Sequence, residues 1–158
     1  MNWAWKYVQF LKESSKRLRS NGGRLWRCWQ ICKTHYQITW EDAIRAHDEA
    51  LIDGGAPGVL NEHAIRSALA RPYNGYFETL HDKASALIHG VVSNHGFVDG
   101  NKRTALYLAL LFIHKSGFEV LVKPEAVVDV ITAVARREMS REELAEWIRE
   151  ELILPRDQ

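Results

Sequence analysis

Ten consecutive residues, His95-Gly-Phe-Val-Asp-Gly-Asn-Lys-Arg-Thr104, bring together an imidazole, a carboxylate, a carboxamide, two cations and two glycines. His95 is the one side chain of the stretch that exchanges protons near neutral pH, so it is the candidate general base. Asp99, four residues on, is a hard oxygen ligand of the kind that holds Mg²⁺ together with substrate phosphates. Gly100 lets the backbone come close to a ligand, and Asn101 is suited to capping the next helix and to hydrogen-bonding phosphate oxygens. Phe97 is expected to point inward as the anchor of the loop. Apolar residues run almost without a break from Ala105 to Ile113. The stretch therefore empties into a helix N-terminus, where unpaired amides and the helix dipole favour anions. Lys102 and Arg103 in that first turn oppose the dipole, which makes sense where an anion neutralises them. Residue by residue, a polar loop whose His and Asp cap helices accounts for the same composition. The string as a whole points to a nucleotide phosphate.

The elements that must position this stretch read as helices. Thr39 is an N-cap with Asp42 at N3, opening a helix through Ala43, Ile44, His47 and Leu51. His47 falls on its apolar stripe and reads as a hydrogen-bonded core histidine. Asp53-Gly54-Gly55-Ala56-Pro57-Gly58 is a loop without GxGxxG spacing or a Walker lysine, read as a helix–helix connection. Asn61 caps a helix through Ile65 and Leu69 that ends at Arg71-Pro72. Tyr73, Asn74, Gly75, Tyr76 and Phe77 form an aromatic turn one helix upstream of the motif and are a candidate surface for docking a target. A helix from Thr79 to Asn94, apolar at Leu80, Ala84, Leu87, Ile88 and Val91, delivers the chain to His95.

Beyond the motif, a helix that is apolar around most of its circumference belongs at the centre of a domain. It should stop at Lys115-Ser116-Gly117, with Gly117 at C′. Phe118 to Val122 reads as a short extended piece, Pro124 opens a further helix, and Ser140 with Glu143 forms a capping box for a last helix ending near Leu154-Pro155. Six or seven helices and almost no strand predict a compact all-α bundle.

The 158 residues fit one domain with an appendage, and the overall charge of +1 selects neither a nucleic acid nor a membrane. The charge is nevertheless uneven. Residues 1–33 carry eight Lys and Arg against Glu13 alone, a net +7, and the remainder carries −6. Residues 2–19 have helical spacing, Asn21-Gly22-Gly23 breaks it, and Trp26 and Trp29 follow among arginines. Such a segment suits a membrane surface or a nucleic acid. The plainer reading, an extension that packs on the domain or stays loose, is favoured. Residues 1–36 are thus set apart from a domain at 37–154. Cys28 and Cys32 are spaced CxxxC with no second pair to complete a zinc site, and read as free thiols. No run reaches the ~18 apolar residues of a membrane span, and basic residues interrupt the N-terminus where a signal peptide needs its apolar core. The expected location is the cytoplasm.

The string His95-Gly-Phe97-Val-Asp99-Gly100-Asn101-Lys102-Arg103 resembles the signature HxFx(D/E)GN(G/K)R of the Fic/Doc (Fido) superfamily. The resemblance extends over roughly residues 37–123, through Ile44-Arg-Ala-His47, Gly54-Gly55 with Gly58, Ser67–Pro72 and Lys83–His89, which look like the Doc branch. It implies an all-α Fic-type core and transfer of part of a nucleotide to a protein hydroxyl, with ATP and Mg²⁺ as cofactors. Most Fic enzymes transfer AMP and resemble HPFxxGNGRxxR. Here Lys102 stands in place of the phosphate-accommodating Gly and Leu106 in place of the second Arg. Both departures fit Doc-type toxins, which transfer the γ-phosphoryl group.

The resemblance implies His95, Asp99, Lys102 and Arg103 as catalytic residues. It gives Asp99 as the metal ligand, and Phe97, Gly100, Asn101, Lys102, Arg103 and Thr104 as the nucleotide-binding set. The implied target is a threonine of elongation factor Tu. The implied inhibitor is a Phd-like antitoxin acting in trans, in a bacterial, prophage or plasmid setting. No Ser or Thr begins the inhibitory pattern (S/T)xxxE(G/N). AMP transfer is the alternative activity, and a catalytically silent module that binds an antitoxin or a nucleic acid is the second alternative.

Overall fold

A computed structural model of the chain describes residues 35–120 and 124–154. The expectations for the basic segment, its tryptophans, Cys28 and Cys32 lie outside the described residues. Among those described, six α-helices follow in order: α1 (Trp40–Ala50), α2 (Glu62–Ala70), α3 (Leu80–Asn94), α4 (Asn101–Lys115), α5 (Pro124–Ala135) and α6 (Arg141–Trp147). The fold is all-α, with α3 and α4 as its axis.

The helix starts follow from local chemistry. Thr39 Oγ1 accepts from the Asp42 amide at 3.1 Å while the Asp42 carboxylate accepts from the Thr39 amide at 3.0 Å, a complete capping box for α1. Asn61 caps α2 through the Ala64 amide, and Thr79 caps α3 through the Asp82 amide. Ser140 and Glu143 form the second capping box, at α6. A 3₁₀ turn, Arg71–Tyr73, terminates α2 at Pro72.

α4 is buried from Thr104 to Ile113 except at Leu111, and its longest contacts run along α3 and then α1. It ends in a Schellman arrangement: the Gly117 amide donates to His114 O at 3.0 Å and the Phe118 amide to Ile113 O at 3.1 Å, with Gly117 at φ 91°. The last helix is shorter than its sequence pattern. The α-helix stops at Trp147, a π turn covers Ile148–Leu152, and Ile153–Leu154 (β2) pair antiparallel with Glu119–Val120 (β1). The sequence around Leu154 is extended because its backbone is used by that pairing, Glu119 facing Leu154 and Val120 facing Ile153. No helix among the described residues is long and apolar enough to cross a membrane.

Candidate active site

His95 is the C-cap of α3 and sits in the left-handed region at φ 47°. That conformation costs a non-glycine residue on the order of 1–3 kcal/mol, so its surroundings must impose it. They do so from both sides. Asn94 Nδ2 donates to Ala64 O of α2 at 3.0 Å. On the other flank, the Leu60 and Asn61 amides both donate to Gly96 O at 2.9 Å. The imidazole itself is exposed, so a substrate can reach it.

The chain then folds back on itself. Asn101 clamps Phe97 in both directions, its Oδ1 accepting from the Phe97 amide at 3.0 Å and its Nδ2 donating to Phe97 O at 2.8 Å. His95 precedes Phe97 by two residues, so its Cα lies within ~7 Å of this clamp. Phe97 is 1% exposed and stacks on the His47 ring at 4.1 Å with 16° between planes. The Val98 amide donates to Gly58 O at 3.0 Å, and Val59 pairs with Phe97, which joins the loop before α2 to the motif.

Gly100 is the N-cap of α4 at φ 72° and supplies no side-chain cap. Among the helices whose caps are described, α1, α2, α3 and α6 begin with a capping side chain and α4 does not. The first turn of α4 holds no acidic residue. It holds Lys102, exposed, and Arg103, half-buried. The amides that open the helix therefore have no side-chain cap and belong to a turn that carries two cations, a combination suited to phosphate oxygens.

Asp99 stands beside this turn with both carboxylate oxygens engaged. Oδ1 accepts from the Gly100 amide at 2.6 Å and Oδ2 from the Ala56 amide at 3.3 Å. These bonds, first Gly100 and then Ala56, hold its pKa below the ordinary carboxylate value, and the Arg103 charge adds to them. The group is exposed and ionised, with lone pairs left for a cation. Gly55 makes this approach possible. A Cβ there would stand 2.9 Å from both Asp99 Oδ2 and Arg103 Nη2, and its φ of 137° already favours glycine.

Among the predicted site residues, Phe97, Asp99, Gly100, Asn101 and Arg103 share this one turn, with Lys102 on its outer side. Two take other parts than the sequence pattern implied. The Asn101 side chain braces Phe97 instead of capping α4, because the clamp turns it back along the chain. Thr104, predicted in the nucleotide-binding set, is wholly buried. Its hydroxyl bonds His47 Nδ1 at 3.2 Å and its amide donates to Gly100 O, so it faces the core and not a ligand.

The Tyr73–Phe77 turn lies at the opposite end of α3. That 15-residue helix separates it from His95 by ~22 Å. Tyr73 is tied inward, donating to Tyr36 O at 2.7 Å and accepting from the Ile38 amide at 3.1 Å, and Phe77 packs under Arg141. Neighbouring positions in sequence are here distant in space, and these five residues stand apart from the turn that holds Asp99.

Three residues that sequence reasoning left outside the site belong to it: His47, Gly55 and Ala56. The glycine loop, read as a plain connection, is the wall against which Asp99 and Arg103 pack. Its triple glycine around Pro57 was the available signal.

The all-helical core and this turn define a family. The chain belongs to the Fic/DOC family, whose match covers residues 30–113. It is 32% identical over 112 residues to "Toxin Doc" of Mycolicibacterium smegmatis, covering 66% of this chain and 85% of that protein. It is also 32% identical over 117 residues to "Protein kinase doc" of Escherichia phage P1, covering 71% of this chain and 92% of the phage protein.

Proposed function

We propose that the protein is a Doc-like toxin that transfers the γ-phosphoryl group of ATP to a Thr or Ser hydroxyl of a target protein. The observation that carries this reading is the start of α4. It has no side-chain cap, two cations and no acid in its first turn, and a carboxylate held ionised next to it. Relatives named as a toxin and as a protein kinase support it.

In this reading His95 takes the hydroxyl proton as the hydroxyl oxygen bonds to the γ-phosphorus. The bond from that phosphorus to the β–γ bridging oxygen breaks, and ADP leaves. The uncapped amides of α4, Lys102 and Arg103 hold the phosphate oxygens while charge shifts toward the leaving group. Asp99 fits Mg²⁺: it is an exposed, ionised oxygen donor, and no cluster of three or more acidic, His or Cys ligands surrounds it among the described residues, as suits a metal shared with substrate phosphates. When bound, Mg²⁺ neutralises phosphate charge. Val59, Leu60 and Val98 are exposed apolar side chains on the two segments that pair beside Asp99, and they offer a surface for the target closer to the motif than Tyr73–Phe77.

The target implied by the Doc resemblance is elongation factor Tu, whose modification blocks translation, and the implied inhibitor is an antitoxin acting in trans. Mass spectrometry of a bacterial lysate incubated with the protein and ATP tests the reading. A gain of one phosphate on a threonine of the elongation factor is expected. A gain of one AMP would make the protein an AMP transferase, and no gain would leave a binding module.

A further inference from the structure

His47 takes no part in the transfer step, yet it is the side chain around which the motif turns. It comes from α1, is 3% exposed, touches the turn at two separate positions and lies behind a third. Its ring stacks on Phe97 at 4.1 Å. Its Nδ1 lies 3.2 Å from Thr104 Oγ1, one helical turn into α4. Its Cε1 lies 3.8 Å from the place where a Cβ on Gly100 would be. Phe97 precedes the turn, Gly100 is its corner and Thr104 closes it. Asp99 and the open amides of α4 lie on the outer side of the same corner. We propose that His47 is a positioning residue, which fixes the loop-to-helix corner through Phe97 and Thr104 and so holds Asp99 and the α4 N-terminus in the geometry that receives the nucleotide.

A residue chosen only to fill this space should be apolar. The Nε2 of His47 is buried without a hydrogen-bond partner, and burial lowers the pKa of the ring so that it stays neutral. A phenyl ring stacks on Phe97 equally well and removes the unpaired Nε2, but it leaves the buried Thr104 hydroxyl without its partner. The imidazole is therefore a poor core filler whose distinguishing contact is the bond to Thr104. That bond ties α1 to the inner face of the corner, 57 residues away in sequence. Small displacements are costly at such a place, because a misplacement of ~1 Å in a reacting group can lower a rate about a hundredfold.

The proposal rests on the transfer reading for its activity readout, and a second readout keeps the two apart. His47→Phe, Thr104→Val and the double variant are compared with the parent for thermal stability, kcat, KM for the target, and hydrogen exchange of the amides from Phe97 to Thr104. His47→Phe is expected to melt lower than the double variant, because only the single variant leaves the buried Thr104 hydroxyl without a partner. Each single variant should lose roughly ten- to hundredfold in kcat with KM for the target unchanged. The double variant should be no worse than either single one, since both remove the same bond. Exchange should quicken in all three, and His47→Asn, which keeps a hydrogen-bonding group near the Nδ1 position, should recover part of the loss. Should the parent transfer AMP, the phosphoryl reading fails and the same variants are scored on AMP. Should it transfer nothing, the exchange rates decide. Parent-like kcat and exchange in Thr104→Val, or in a folded His47→Phe, would overturn the proposal.

Discussion

The two ends of α3 open onto two turns, each of which feeds a helix, and they are built by opposite rules. At Thr79 the helix start is closed on itself. The Thr79 hydroxyl accepts from the Asp82 amide at 3.2 Å and donates to the Asp82 carboxylate at 2.6 Å, and Arg141 of α6 sits within 3.9 Å of that carboxylate. An acid occupies the first turn, where the dipole wants one. At Gly100 the side-chain cap is missing, the first turn is cationic, and the carboxamide that could have capped the helix is used to clamp Phe97. The first turn meets its electrostatic needs internally. The second leaves them open, which costs stability and suits an anion.

That contrast can be broken deliberately. The largest effect belongs to the reacting group: His95→Ala should lower transfer by ~10²–10⁴-fold, the usual weight of a general base, with an unchanged fold. Steady-state rates with circular dichroism check it, and parent-like activity would remove His95 from the mechanism. Next, Lys102→Glu gives α4 the acidic first turn that α3 has. Activity should fall roughly ten- to hundredfold, the equivalent of one charge-assisted hydrogen bond, while the helix gains about 0.3–1 kcal/mol from its dipole. Denaturant titration beside the activity assay separates these two opposite changes. A drop in stability would mean that Lys102 serves the fold.

Thr79→Ala is the converse test. It should cost about 0.5–2 kcal/mol of stability and leave kcat per folded molecule untouched. A change in kcat would show that the two ends of α3 are coupled. A last test lies outside the comparison, at the half-buried His35. Burial and the nearby Lys83 charge push the His35 pKa from 6.5 down to about 4, and neither ring nitrogen has a partner. Above pH 6.5 the ring is neutral both folded and unfolded. As pH falls from 6.5 toward 4, the unfolded chain binds a proton that the folded chain refuses, so stability declines over that window. Melting curves across it should slope less steeply for His35→Leu, and equal slopes would remove His35 as the cause.

Much of the fold was legible because its signals are local. Thr39 with Asp42, Asn61 with Ala64, and Ser140 with Glu143 each complete a bond across three residues, and Gly117 ends α4 within one turn. The inward anchor at Phe97 follows from the same kind of pattern. What was not legible depends on the packing of distant segments. The bond from Ala56 to Asp99 spans 43 residues and that from His47 to Thr104 spans 57. No periodicity in α1 distinguishes a histidine that fills a core from one that supports a turn. The inward direction of Thr104 was not legible for the same reason, since its position in the motif says nothing about which side of α4 faces α1. The distance of Tyr73–Phe77 from His95 was not legible either, because nearness in sequence is not nearness in space across a full-length helix. The extended pairing of Ile153–Leu154 depends on a partner more than thirty residues earlier, which a capping box at Ser140 cannot announce.

In the proposed reaction the open start of α4 holds ATP so that its terminal phosphate is the group given up. Incubating the protein with purified elongation factor Tu, Mg²⁺ and ATP labelled at either the α or the γ position tests it directly. Label is expected on the factor from the γ position and none from the α position. Label retained from the α position would contradict it.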